Sequence, residues 1–151
     1  MSQYAARYRT WIPVVARVIF GLMFLHAAYY KIPWNEMFSM EVAMTGAAGV
    51  PFATVAVFLA FLLETLGGIS LVIGWQTRLF AFLLAGFVLI LNFVFFRNIA
   101  DQNLFAFFVS NLGLMAGLLY ISSYGPGPLS LDERRSAPAQ MEAAGSMGST
   151  M

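Results

Sequence analysis

The chain has 151 residues, of which 60% are hydrophobic and 10% charged, with a formal net charge of +1. A soluble domain carries about 25% charged residues, so this balance excludes an ordinary water-soluble fold, and the small net charge argues against nucleic acid as a partner. The chain has no cysteine and one histidine, His26, which excludes disulfides, thiol redox chemistry, cysteine-held clusters, covalent c-type haem and a haem held by two histidines of this chain.

Residues 1–10 precede the first apolar run. No small-residue cleavage site follows that run, so they are expected to remain as a cytoplasmic N-terminus. The domain then runs over residues 11–124. It contains four apolar segments of the length needed to cross a bilayer, about 20 residues: roughly 11–31, 52–73, 79–96 and 104–121. The last two are short and are expected to cross with little tilt. Arg7, Arg9, Arg78, Arg134 and Arg135 fall on one side, Lys31 and Arg97 on the other. That asymmetry predicts both termini in the cytoplasm. Trp and Tyr near the segment ends fit an interfacial belt.

Between the first two segments, Trp34, Met37, Phe38, Met44 and Ala48 recur at helical spacing. We read an interfacial amphipathic helix in this first external loop, opened by Pro33 and closed by Gly46. Residues 125–151 form a cytoplasmic tail, which from Ser136 onward is rich in Ala, Gly, Ser, Met and Pro and is expected to be disordered. The fold class is therefore all-α, an integral membrane four-helix bundle. "HAAYYK" (His26–Lys31) and "NFVFFR" (Asn92–Arg97) share a pattern, with His26 matched to Asn92, as in a parallel repeat of two helix pairs.

Arg17, His26, Glu64, Asn92 and Asn111 lie inside the spans. Ionisable groups there are rare, cost roughly 2.5–3.5 kcal/mol each on insertion scales, and face the protein interior. Ala56, Ala60, Gly67 and Gly68 share the face of Glu64, and Gly21 shares that of Arg17, so small residues let helices close over both. Depth counted from segment midpoints separates Arg17 from Glu64 by about 6 Å along the helix axis. This predicts a buried Arg17–Glu64 ion pair, either a structural lock or part of a working site. His26, Asn92, Tyr30 and Asn111 are the candidates for a ligand or proton site; the asparagines also suit interhelical hydrogen bonding. One His and one Glu at different depths do not make a metal site, and no nucleophile triad, P-loop or dinucleotide fingerprint is visible.

Three stretches carry a resemblance. They are "RVIFGLMFLHAAYYKI" (Arg17–Ile32), "GVPFATVAVFLAFLLETLGGISLVIGWQTRLFA" (Gly49–Ala81) and "YGPGPLSLDE" (Tyr124–Glu133). Together they resemble the DoxX family of small four-helix membrane proteins. The matching positions are Arg17, Lys31, Glu64, Gly67, Gly68, and Thr77 with Arg78 at a turn. Many members carry a His or another polar group where this chain has Asn92. The resemblance implies association with membrane oxidoreductase complexes and their quinone pool, in the cell (inner) membrane. It leads to three readings, in this order. The first is an accessory, non-electron-carrying subunit, with other membrane subunits or a homo-oligomer as partners and no cofactor of its own. The second is a small permease or a lipid- or quinone-binding protein using the polar interior around Glu64. The third is a structural or assembly factor. No complete catalytic site is visible, and the expectation leans away from an enzyme.

Overall fold

The computed structural model describes residues 3–96, 100–127 and 129–133. Arg97, Arg134, Arg135 and the tail from Ser136, on which the orientation and disorder expectations partly rest, lie outside the described residues. Five helices follow in order: α1 (Gln3–Tyr29), α2 (Glu36–Ala47), α3 (Ala53–Ile73), α4 (Thr77–Phe95) and α5 (Gln102–Tyr124). Four of them, α1 from Trp11 onward, α3, α4 and α5, are long and apolar enough to cross a membrane. The fold is the all-helical membrane bundle that the composition predicts.

The helix ends follow local chemistry. Asn35 caps α2 by accepting from the Met37 amide at 3.1 Å. Asp101 caps α5 by accepting from the Asn103 and Leu104 amides at 2.8 and 3.2 Å. Each side chain answers an amide left without a partner in the first helical turn. Between α3 and α4 the chain turns through two left-handed residues, Gly74 (φ 77°) and Gln76 (φ 44°). Glycine takes this conformation freely, but glutamine does so under strain.

The helices associate as pairs. α1 lies chiefly on α3 and α4 on α5, while α3 joins the pairs through α4. Glycines set the spacing. A Cβ on Gly21 would stand 2.8 Å from the Gly68 carbonyl oxygen, and one on Gly68 would stand 2.9 Å from that of Gly21. Neighbouring Gly67 turns to the other side, where a Cβ would meet Leu84 of α4 at 2.8 Å. One Gly-Gly step thus serves two interfaces, α1 through Gly68 and α4 through Gly67. Phe24, Leu71, Ala81, Leu84, Ala85, Val88, Leu118 and Ile121 form the core between them.

α2 packs on α3 while turning much of its apolar face away from the bundle, as an interfacial helix does. Met37, Met40 and Met44 are exposed, whereas Thr45 is buried and Phe38, Glu41 and Val42 are half-buried. In a bilayer interface an apolar face gains as much from lipid as from protein. The polar residues of α2 are therefore free to turn inward, and this leaves Glu41 and Thr45 beside the bundle.

Candidate functional site

The contact between Gly21 and Gly68 fixes the register of α1 against α3. Gly21 also meets Val72, and Leu25 meets Gly68. By the same antiparallel register Arg17 lies opposite Gly74, and its Nη1 stands 2.6 Å from where a Gly74 Cβ would be. Glu64 is ten residues further along α3, about 15 Å away at 1.5 Å per residue. The predicted Arg17–Glu64 pair is therefore not formed. Counting from segment midpoints assumed that the two helices are centred on each other; the glycine contact slides α1 along α3.

Each buried charge finds another partner. Glu64, 2% exposed, receives the Lys31 ammonium, with Lys31 Nζ 3.1 Å from Glu64 Oε2. Lys31 follows the end of α1 and reaches back, its Nζ also donating to the Ala27 carbonyl at 3.4 Å. Arg17, also 2% exposed, donates from Nη1 to the Pro126 carbonyl at 2.9 Å. The segment after α5 thus returns as a strap over the α3–α4 turn. Asp132 of the strap accepts from the Gln76 and Thr77 amides at 2.8 and 3.0 Å, and its own amide donates to the Gly74 carbonyl at 3.0 Å. Gln76, at the cap position of α4, makes no side-chain cap of its own. Asp132 supplies that cap from 55 residues away in the chain, which places a negative charge at the positive end of a helix and within electrostatic reach of Arg17. Ser122 Oγ donates to the Arg78 carbonyl at 3.0 Å, tying α5 to the same turn. Thr77 is fully buried there, and Arg78 lies against Gly125.

The remaining polar candidates separate. Asn92 is fully buried; its Nδ2 donates to the Phe108 carbonyl at 3.2 Å, and its Oδ1 accepts from Asn111 Nδ2 at 2.9 Å. This is a hydrogen-bonded bridge between α4 and α5. His26 is exposed on the outer face of α1, in edge contact with Tyr30 at a ring-centroid distance of 5.2 Å. His26 and Asn92, matched by the sequence pattern, therefore do not occupy equivalent environments. Among the described residues, the buried polar candidates fall into three separate arrangements: Lys31 with Glu64, Asn92 with Asn111, and Arg17 with the strap.

The first adjoins a cavity with apolar walls. Its volume is about 150 Å³, and it lies where the end of α1, α2, α3 and α4 meet. Ala56 and Ala60 of α3 give it room, Phe87, Leu91 and Phe95 of α4 form a wall, and Lys31, Glu41 and Thr45 are its polar lining. Lys31 thus touches the buried carboxylate and the cavity at once. Sequence reasoning passed over Lys31 as a partner and Glu41 altogether. The available signal was that a lysine two residues beyond a helix end can fold back along it. A second space, about 580 Å³, lies at the strap between Arg78, Pro126, Asp132 and Glu133. Among the described residues no three His, Asp or Glu side chains converge as metal ligands.

Four membrane-crossing helices, a glycine-spaced α1–α3 pair and a buried Lys–Glu pair define a small multi-pass membrane protein. The profile of the DoxX family matches residues 12–97. The chain is 33% identical over 119 residues to "Inner membrane protein YqjF" of Escherichia coli (strain K12), covering 79% of this chain and 88% of that protein. The chain belongs to the DoxX family. No solved structure matches it.

Proposed function

We propose that this protein is a non-electron-carrying component of a quinone-linked membrane redox system. Its own part is to hold a small amphiphile of the quinone or lipid class beside Lys31 and Glu64. The observation that carries this reading is the junction of a buried ion pair with an apolar cavity. An engineered apolar cavity of similar volume in another protein accepts benzene, so a ring or a length of aliphatic chain fits here. The polar lining would meet the head of such a molecule and the alanine seam of α3 its body. The inner-membrane name of the relative supports an inner-membrane location, and the Lys and Arg asymmetry supports cytoplasmic termini. Exposed Phe93, Phe105 and Phe107 offer a surface to larger subunits or to a second copy.

The test is purification under mild conditions, with mass spectrometry for lipids, quinones and co-purifying subunits. A retained amphiphile that is lost from a Glu64→Gln variant of normal abundance is the expected result. Protein that emerges functional in cells yet free of any amphiphile and any partner would overturn the reading. The second reading is a structural lock: Lys31 and Glu64 balance each other's charge, and buried pairs serve to fix register. In that case Glu64→Gln and Glu64→Ala would change protein level and nothing else.

A further inference from the structure

The cavity beside α2 leaves one carboxylate unanswered. Two charged side chains line it, the Lys31 ammonium and the Glu41 carboxylate. Lys31 is committed to Glu64 at 3.1 Å. Glu41, which lines the cavity from α2, has no hydrogen-bond or ion-pair partner among the described residues, and its charge acts on Glu64 as well. The wall contributed by α4 brings no ionisable group, only aliphatic side chains and the rings of Phe87 and Phe95.

A half-buried carboxylate without a partner next to apolar walls is unfavourable, and a ligand that brings a positive charge relieves it. Aromatic faces attract cations too. An anionic head would meet the Glu41 carboxylate with only an already engaged ammonium to offset it. A neutral carbonyl head could accept from Thr45 or Lys31, but it would leave the Glu41 carboxylate unanswered. A primary ammonium offers three N–H donors, enough for Glu41 and the Thr45 hydroxyl together.

We propose that this cavity selects an amphiphile with a monocationic ammonium head, as in a lipophilic amine or an aminolipid, with Glu41 as its counter-charge. The inference rests on the reading that the cavity takes an amphiphile, and within that reading it chooses the ammonium lipid class over the quinone. Glu41 binds the head; Lys31 holds Glu64 in place and keeps the second carboxylate from competing.

The experiment uses the full chain in nanodiscs and three probes: benzylammonium, benzyl alcohol and duroquinone. Binding is read by saturation-transfer NMR, with an Ala60→Phe variant, its cavity filled, as the control for partition into lipid. Benzylammonium is expected to bind more tightly than benzyl alcohol by on the order of tenfold, the equivalent of one charge-assisted hydrogen bond. Glu41→Gln is expected to remove that preference while leaving benzyl alcohol unchanged. Since Glu41 sits on a peripheral helix, this variant keeps the test valid if Ala60→Phe fails to fold. Equal binding of benzylammonium and benzyl alcohol, or a preference that survives Glu41→Gln, overturns the inference. If duroquinone binds without any ammonium preference, the inference falls and the proposed function stands. If no probe binds the wild-type chain above the partition level, both fall.

Discussion

At the scale of single residues, the structure changes which charges answer each other. Lys31→Met should leave Glu64 buried without its cation. Breaking a buried pair by removing one partner costs about 3–5 kcal/mol. Thermal unfolding in detergent should show that loss, and the double variant Lys31→Met with Glu64→Met should recover most of it. The exchange Arg17→Glu with Glu64→Arg should not restore abundance, because the two residues lie at different depths. Immunoblots showing wild-type levels of the swapped protein would contradict the register described here. In the same way, Asn92→Ala should cost about 1–3 kcal/mol by leaving Asn111 and the Phe108 carbonyl without their partner. The sequence made these residues conspicuous because a polar group in an apolar span is easy to see. It concealed their partners, because pairing depends on how far one helix slides along another. Gly21 and Gly68 each mark a close approach by their type, but neither names its partner, and it is their meeting that determines the slide.

Among elements, the glycines of α3 form the most constrained contact. In Gly68→Ala the new methyl would press on the Gly21 carbonyl, a backbone atom that cannot swing aside. Overpacking of this kind costs about 1–3 kcal/mol, so the variant should unfold at a lower temperature. Gly86 is the natural control. Nothing lies within 4 Å of a Cβ there, and replacing a helical glycine by alanine gains roughly 0.5–1 kcal/mol. A Gly86→Ala protein that is less stable than wild type would show that this face is covered in the native assembly. The helices themselves were legible from hydropathy alone, and the small-residue stripe was legible from its spacing. The facing of α2 was not. Periodicity identifies an apolar face but not whether that face meets protein or lipid, and here Met37, Met40 and Met44 turn outward.

For the molecule as a whole, the strap is the feature that composition conceals. Residues 125–127 and 129–133 precede the Ser, Gly and Ala tail and read as its beginning, yet they close the bundle. Their Gly-Pro-Gly and Ser-Leu-Asp motifs resemble a family pattern whose physical reason appears only when Asp132 is seen on the α4 amides. Asp132→Ala should cost about 0.5–2 kcal/mol, the usual range for a helix cap. Asp132→Asn should cost less, since an amide oxygen still accepts. A chain ending at Tyr124 should fare far worse than one ending at Glu133. It would lose the cap and also the Pro126 carbonyl, leaving the Arg17 guanidinium unanswered inside the membrane. Pulse-chase measurement of the two truncated chains would separate these outcomes.

Arg17 and Pro126 are 109 residues apart in the chain. At about 5–20 residues per second of synthesis, the first helix must wait roughly 5–20 s before its guanidinium has a partner. During that interval the guanidinium lacks the Pro126 carbonyl, which only synthesis beyond α5 supplies. The contact that closes the bundle therefore forms only after all four apolar spans have been synthesised.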